Sequence, residues 1–199
     1  GAISTDELRR YLEAIGAASG VPVILQDASA YVGEPIAADV QATLVGEFGA
    51  HQLLLKPEAP PLGPTISAIS KLSGGTARIF DGSGGLALMD TYLRGIVGTM
   101  PGPDLTWAVR ALWDALEKGD HTTALGITTH LSTLISMVPG LDGYVAFEKY
   151  MLVKQGVIPH DRMRGPVTFQ LDDVARKILD LLYDGLVTLT GHVPSTIAR

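Results

Sequence analysis

Four short strand-forming runs recur along the first half of this 199-residue chain, and their spacing limits what it can fold into. They are Val21 to Leu25, Leu53 to Leu55, Thr76 to Phe80 and Ile96 to Met100. Helical periodicity follows the first three, at roughly Ile36 to Phe48, Pro64 to Leu72 and Leu86 to Leu93. A strand, a loop and a helix in about 20 to 30 residues is the length of a βα unit in a parallel sheet. The runs are near-continuous rather than alternating, which predicts strands buried on both faces. Ahead of them, Ser4 and Glu7 form a capping box for a helix with Leu8, Leu12 and Ile15 inward, and Gly16 and Gly20 bracket its end.

The second half reads as helical. Asp104 is expected to cap a helix with Leu105, Val109, Leu112 and Leu116 inward. Further helices are expected from Gly119-Asp120 to Met137, over Tyr144 to Gln155, and over Leu171 to Leu189. This divides the chain into a sheet-forming part, residues 1–103, and a helical part, residues 104–199, with no linker between them. With 46% hydrophobic residues the chain has enough apolar surface for one sizeable core.

Charge and composition exclude several classes of function. A net charge of −6 without a basic cluster argues against nucleic-acid binding. No apolar run approaches the length of a spanning helix, so no membrane partner is expected. The chain has no cysteine, hence no disulfide framework and no thiolate metal site, which fits a reducing cytoplasm. The start is polar, with Asp6, Glu7, Arg9 and Arg10, and lacks the look of a signal peptide. The five histidines (His51, His121, His130, His160 and His192) show no metal spacing. Ser29 and Ser83 have no His/Asp constellation beside them, and Trp107 and Trp113 read as packing residues.

In parallel α/β folds ligands bind at the carboxyl ends of the strands. Those ends carry Gln26-Asp27, Lys56-Pro57-Glu58, Asp81-Gly82-Ser83 and Met100-Pro101. Lys56 closes a buried run, where desolvation disfavours the ammonium and frees the amine as a nucleophile, the setting of a Schiff-base lysine. The plainer alternative is a lysine that snorkels to water. Glu58, two residues on, falls on the same side of an extended segment, either beside the amine or as a solvated loop acid. Backbone amides at Gly82 and Ser83 are placed to hold substrate oxygens, and Met100 either lines the pocket or fills the core. Gly82-Ser83-Gly84-Gly85-Leu86-Ala87 also matches the dinucleotide pattern G-x-G-x-x-G/A, with Asp104 some twenty residues on. That loop belongs to the third unit rather than the first, and Asp104 follows Pro103 rather than a strand.

The order of these motifs resembles one family. Pro22-Val23-Ile24-Leu25, then Lys56, then Asp81-Gly82-Ser83-Gly84-Gly85, then Leu93-Arg94-Gly95-Ile96-Val97-Gly98-Thr99-Met100-Pro101-Gly102 is similar to the dihydrodipicolinate synthase/N-acetylneuraminate lyase family. Lys149-Tyr150-Met151-Leu152, Gly156-Val157-Ile158 and Arg164-Gly165-Pro166 look like its closing region. The resemblance implies the second half of a (β/α)8 TIM barrel, strands five to eight, followed by a C-terminal helical region. It implies an imine between Lys56, on the sixth strand, and pyruvate or a related 2-oxo acid, with an aldehyde as second substrate and no separate cofactor. A cytoplasmic homo-oligomer is usual in such families. About a third of the family's length is missing, with its Gly-Thr-Thr-Gly-Glu-type carboxylate loop, and a start at Gly1 beside a helix is consistent with a truncated sequence.

Two positions depart from the family pattern. Gln26 stands where the proton-shuttling tyrosine is usual, and an amide does not titrate. The loop around Tyr31 lacks the arginine that some members use for a substrate carboxylate. Asp27 or Glu58 is expected to supply the missing acid/base group. A second reading follows from the same departures: a catalytically silent member or fragment, whose half barrel leaves two open strand edges and an uncovered apolar face and is expected to aggregate or to pair with another half.

Overall fold

A computed structural model describes residues 4–29 and 33–193. The chain divides into two compact units, Gly1–Ser83 with Asp90–Met100, and Gly84–Met89 with Pro101–Arg199. The first unit opens with α1 (Thr5–Ser19). The Ser4 hydroxyl accepts from the Glu7 amide and the Glu7 carboxylate accepts from the Ser4 amide, so the expected capping box is present. Gly20 ends the helix at φ +62°, a left-handed turn that glycine takes without strain. The chain then alternates β1 (Val23–Asp27), α2 (Ala38–Phe48), β2 (Leu53–Pro57), α3 (Leu62–Leu72), β3 (Phe80–Asp81), the short α4 (Leu88–Leu93) and β4 (Gly98–Thr99).

All pairings are parallel and follow chain order. β1 pairs with β2, β3 pairs with β4, and a single bridge from Leu55 to Ile79 joins the two pairs. This is an α/β arrangement of successive parallel βα units. β2 is the buried strand: Leu53, Leu54 and Leu55 are all inaccessible. Leu44 and Val45 of α2 and Ile66 and Ile69 of α3 complete the apolar layer against it.

Two expectations about the strands need correction. β1 is not buried on both faces: Leu25 and Asp27 are inaccessible while Ile24 and Gln26 are exposed. The cause is its position, since among the described residues β1 has a partner on one side only. β3 and β4 shrink to two residues each, against the five expected for each run. Arg78 and Ile79 still give carbonyl oxygens to Leu55 and Val97, so the backbone is held, but without a continuous ladder.

The second unit holds α5 (Thr106–Glu117), α6 (His121–Ser136), α7 (Gly140–Lys154) and α8 (Asp173–Thr190). Asp120 and Asp172 cap α6 and α8 by accepting from the amides of Thr123 and Ala175. α6 packs between α5 and α8, with Leu112, Ile127, Leu131, Leu134 and Leu186 fully buried. Trp107 is a packing residue, as expected. Its indole donates to Gln155 Oε1 at 3.2 Å and stacks on His192 at 4.0 Å, with Tyr183 edge-on. Burial against that stack lowers the His192 pKa.

Asp104 does not cap α5. The cap position is Leu105, which makes no side-chain hydrogen bond, and Asp104 is buried at 2% exposure. Its Oδ2 has no partner among the described residues. Glu148 of α7 approaches from the other side of Gly102: a Cβ at Gly102 would lie against Glu148 Oε1, 2.6 Å from Asp104 Oδ1 and 3.0 Å from the Tyr144 hydroxyl. Desolvation raises the Asp104 carboxyl to about 6, opposed by backbone hydrogen bonds at Asp104 and Leu105. Desolvation and the neighbouring Asp104 charge raise Glu148 to about 7. Carboxyls raised in the folded state bind protons that the unfolded chain releases near pH ~4. Their contribution to stability is therefore full below that value and is lost as pH rises towards about 7. The thermal midpoint is expected to fall between about pH 5 and about pH 8, and Glu148→Gln is expected to flatten that fall. A wild-type midpoint that rises across this window contradicts the acid pair.

Candidate active site

The β1–β2 ladder brings the first two polar strand ends into register. Gln26 pairs with Lys56 and Asp27 with Pro57. Parallel partners point their side chains to the same face, so the Gln26 amide and the Lys56 amine emerge together. Beyond the strand the chain stays close, the Glu58 amide donating to the Asp27 carbonyl at 3.1 Å. That bond turns the Glu58 side chain back over Lys56, and Lys56 Nζ lies 2.8 Å from Glu58 Oε1. The Gln26 amide donates to the same oxygen at 3.0 Å. The pair is well shielded, with the lysine side chain 14% and the glutamate 10% exposed. It is a close-range acid/base pair with one amide as its third member.

Gly82 forms the floor under Glu58. A Cβ at that position would collide with the Glu58 side chain, 2.6 Å from Oε1 and 2.9 Å from the carboxyl carbon. The absence of a side chain at residue 82 is thus what leaves room for the carboxylate beside Lys56. Its φ is not in the left-handed region, so space rather than backbone conformation asks for glycine here.

Asp81, the acid of the Asp81-Gly82-Ser83 motif, closes β3 and lies at the heart of this rim. It is fully buried. Its carboxylate accepts from the Ser83 amide and hydroxyl, both at 2.9 Å, and from the Thr99 hydroxyl at 3.4 Å. Desolvation raises its pKa, against the Ser83 and Thr99 hydrogen bonds and the Lys56 charge, which lower it. A sequence signal existed: an acid closing a strand directly before Gly-Ser is a strand-end acid with two donors following it. Thr99, from β4, likewise stands in a motif of the sequence without a role assigned to it.

Several expected site residues have other tasks. The Ser83 amide, expected to reach substrate oxygens, donates to Asp81 instead. Asp27 is 3% exposed and its two oxygens accept from the amides of Ser29, at 3.1 Å, and Ile36, also at 3.1 Å. It braces the loop after β1. Met100 is half-buried and its amide donates to the Asp81 carbonyl at 3.0 Å. Tyr31 lies outside the described residues. The glycine loop Gly82–Ala87 leads into a helix of only six residues, Leu88–Leu93. A dinucleotide site needs an acid at the end of the next strand, but β4 ends at Thr99 and Asp104 is buried in the helical unit. No group of three metal-ligating side chains occurs among the described residues, and no described helix is long and apolar enough to cross a membrane.

No protein-family model matches the chain, and no curated protein matches it in sequence. Solved structures do match. A dihydrodipicolinate synthase from Rhodopseudomonas palustris superposes with a TM-score of 0.77 at 23% identity, over 92% of this chain and 62% of its own. The fold is that of dihydrodipicolinate synthase, in part. A prophage protein of the dihydrodipicolinic acid synthase family from E. coli K12, in complex with pyruvate, matches with a TM-score of 0.77 at 20% identity. It covers 92% of this chain and 62% of its own. A catalytic lysine mutant of the sialic acid aldolase from Ruminococcus gnavus reaches 0.75 at 15% identity, over 96% of this chain and 62% of its own. The chain therefore spans about 62% of the length of these dihydrodipicolinate synthase-like structures. At such identities the likeness carries the fold, and chemistry has to be argued from this chain's own residues.

If Asp27 is a brace rather than a substrate ligand, Asp27→Ala leaves two backbone amides without acceptors. The expected loss is about 1–3 kcal/mol of stability, read as a lower urea midpoint. An unchanged midpoint would return Asp27 to the list of candidate ligands.

Proposed function

We propose that the protein carrying this chain is a Schiff-base lyase or aldolase of the dihydrodipicolinate synthase/N-acetylneuraminate lyase family. On this reading β1 to β4 are strands five to eight of a (β/α)8 barrel, and Lys56 is the nucleophile. The observation that carries the proposal is the environment of Lys56: a shielded amine at the carboxyl end of a buried parallel strand, 2.8 Å from a carboxylate. The likeness in fold to the structures described above supports it.

The Lys56 amine attacks the keto carbon of pyruvate or a related 2-oxo acid, and loss of water leaves a protonated imine. That imine is an electron sink for making or breaking the adjacent carbon–carbon bond with an aldehyde, and no separate cofactor is needed. Gln26, Glu58 and Met100 line the approach, with Gly82 and Ser83 shaping the rim. The protein acts in the cytoplasm and as a homo-oligomer. A second reading, a catalytically silent member, is favoured by one feature: the group at the usual relay position is the Gln26 amide, which does not titrate.

Incubation of the full-length protein with pyruvate and borohydride is expected to add a stable mass, mapped to Lys56 and absent from Lys56→Ala. No adduct across a panel of 2-oxo acids would sink the lyase reading in favour of the silent one.

A further inference from the structure

Lys56 has several potential acid/base neighbours, and the geometry selects one of them. Asp27 is occupied by two backbone amides and Asp81 by the Ser83 and Thr99 donors. Glu58 meets the amine directly: Lys56 Nζ forms an ion pair with Oε1 at 2.8 Å, and Gln26 Nε2 donates to the same oxygen at 3.0 Å. Oε2 makes no hydrogen bond to a described residue. The carboxylate thus has one oxygen anchored and one open, above a glycine whose lack of a side chain makes its position possible. We infer that Glu58 is the proton relay for imine formation at Lys56, and that Gln26 is a positioning residue that holds it. The assignment rests on the Schiff-base reading above and adds to it the group that moves the protons.

The steps balance as follows. Glu58 takes a proton from the Lys56 ammonium, leaving a neutral amine and a carboxylic acid. The nitrogen lone pair bonds to the keto carbon, and the carbonyl oxygen keeps the C=O electron pair and takes a second proton from that nitrogen. The resulting hydroxyl leaves as water with the proton held by Glu58, while the nitrogen lone pair closes the C=N bond. Glu58 returns to carboxylate, the imine nitrogen keeps one hydrogen and the positive charge, and three ammonium protons are accounted for. A relay with one anchored and one open oxygen performs both transfers without leaving hydrogen-bond reach of the amine.

The charged or titratable groups around this relay are Lys56 on β2, Asp27 at the end of β1 and Asp81 at the end of β3, and the Gln26 partner from β1 is neutral. The decisive measurement is the rate of borohydride-trapped adduct formation against pyruvate concentration in the full-length protein. Glu58→Gln keeps the size of the side chain and is expected to slow trapping at saturating pyruvate by roughly 10²- to 10³-fold, with the adduct still at Lys56. Glu58→Asp is expected to recover part of the rate. Gly82→Ala leaves both reacting groups intact but pushes the carboxylate away, and is expected to slow trapping in the same way. Gln26→Leu is expected to slow trapping at saturating pyruvate while the half-saturating concentration stays unchanged, which a purely structural role would not do. A wild-type protein that traps no 2-oxo acid overturns the Schiff-base reading itself. Wild-type trapping together with an unchanged saturating rate in Glu58→Gln overturns the relay alone.

Discussion

Five residues of β1 pair in parallel register with five of β2, and the position of the candidate site follows from that ladder. The ladder is worth its place because β2 is apolar enough to be buried from Leu53 to Leu55, so the strand has one stable seat. Once it is seated, the face on which the Lys56 side chain leaves the strand is fixed. The same register delivers Gln26 beside it from the neighbouring strand. The bond from the Glu58 amide to the Asp27 carbonyl extends the pairing one step past β2 and folds the glutamate back. Three polar groups are thus brought together by backbone hydrogen bonds rather than by attraction among themselves.

That order of causes bears on the energetics. A shielded ion pair such as Lys56 with Glu58 gains little net stability, because desolvating both charges offsets most of their attraction. Its persistence in a strand otherwise built of leucine needs a reason other than stability, and chemistry at the amine is one. Asp81 tells the same story from the next strand. It is held fully buried by short-range donors from Ser83 and Thr99, an expensive arrangement at the carboxyl end of a strand. Polar groups that cost stability gather at this rim, and in the helical unit the Asp104–Glu148 pair is joined by the buried hydroxyls of Thr128 and Tyr183, which have no hydrogen-bond partner among the described residues.

The helical unit shows how local signals and burial compete. Asp120 and Asp172 cap their helices because each is exposed at the start of a helix and can reach the third amide. Asp104 has the same residue type after a proline and does not cap, since burial draws it away from the helix start. Residue identity is the same in all three cases, and only the surroundings differ.

Much of the site was legible in the residues themselves. The apolar runs predicted parallel βα units, the capping box predicted α1, and the i, i+2 spacing predicted that Glu58 would share a side with Lys56. These are short-range consequences of backbone periodicity, which is why a sequence carries them. Sequence could not decide between Asp27 and Glu58, because the difference lies in partners: Ser29 and Ile36 amides consume one carboxylate, and Lys56 and Gln26 meet the other. Nor could it show that Gly82 is the floor beneath Glu58, or that Asp81 is buried between Ser83 and Thr99. Those facts depend on contacts between strands some 18 to 32 residues apart. The sequence alone thus determined which strand end carries the amine. Tertiary structure decided which acid attends it, because a hydrogen bond can be made only by atoms that the fold has brought within reach.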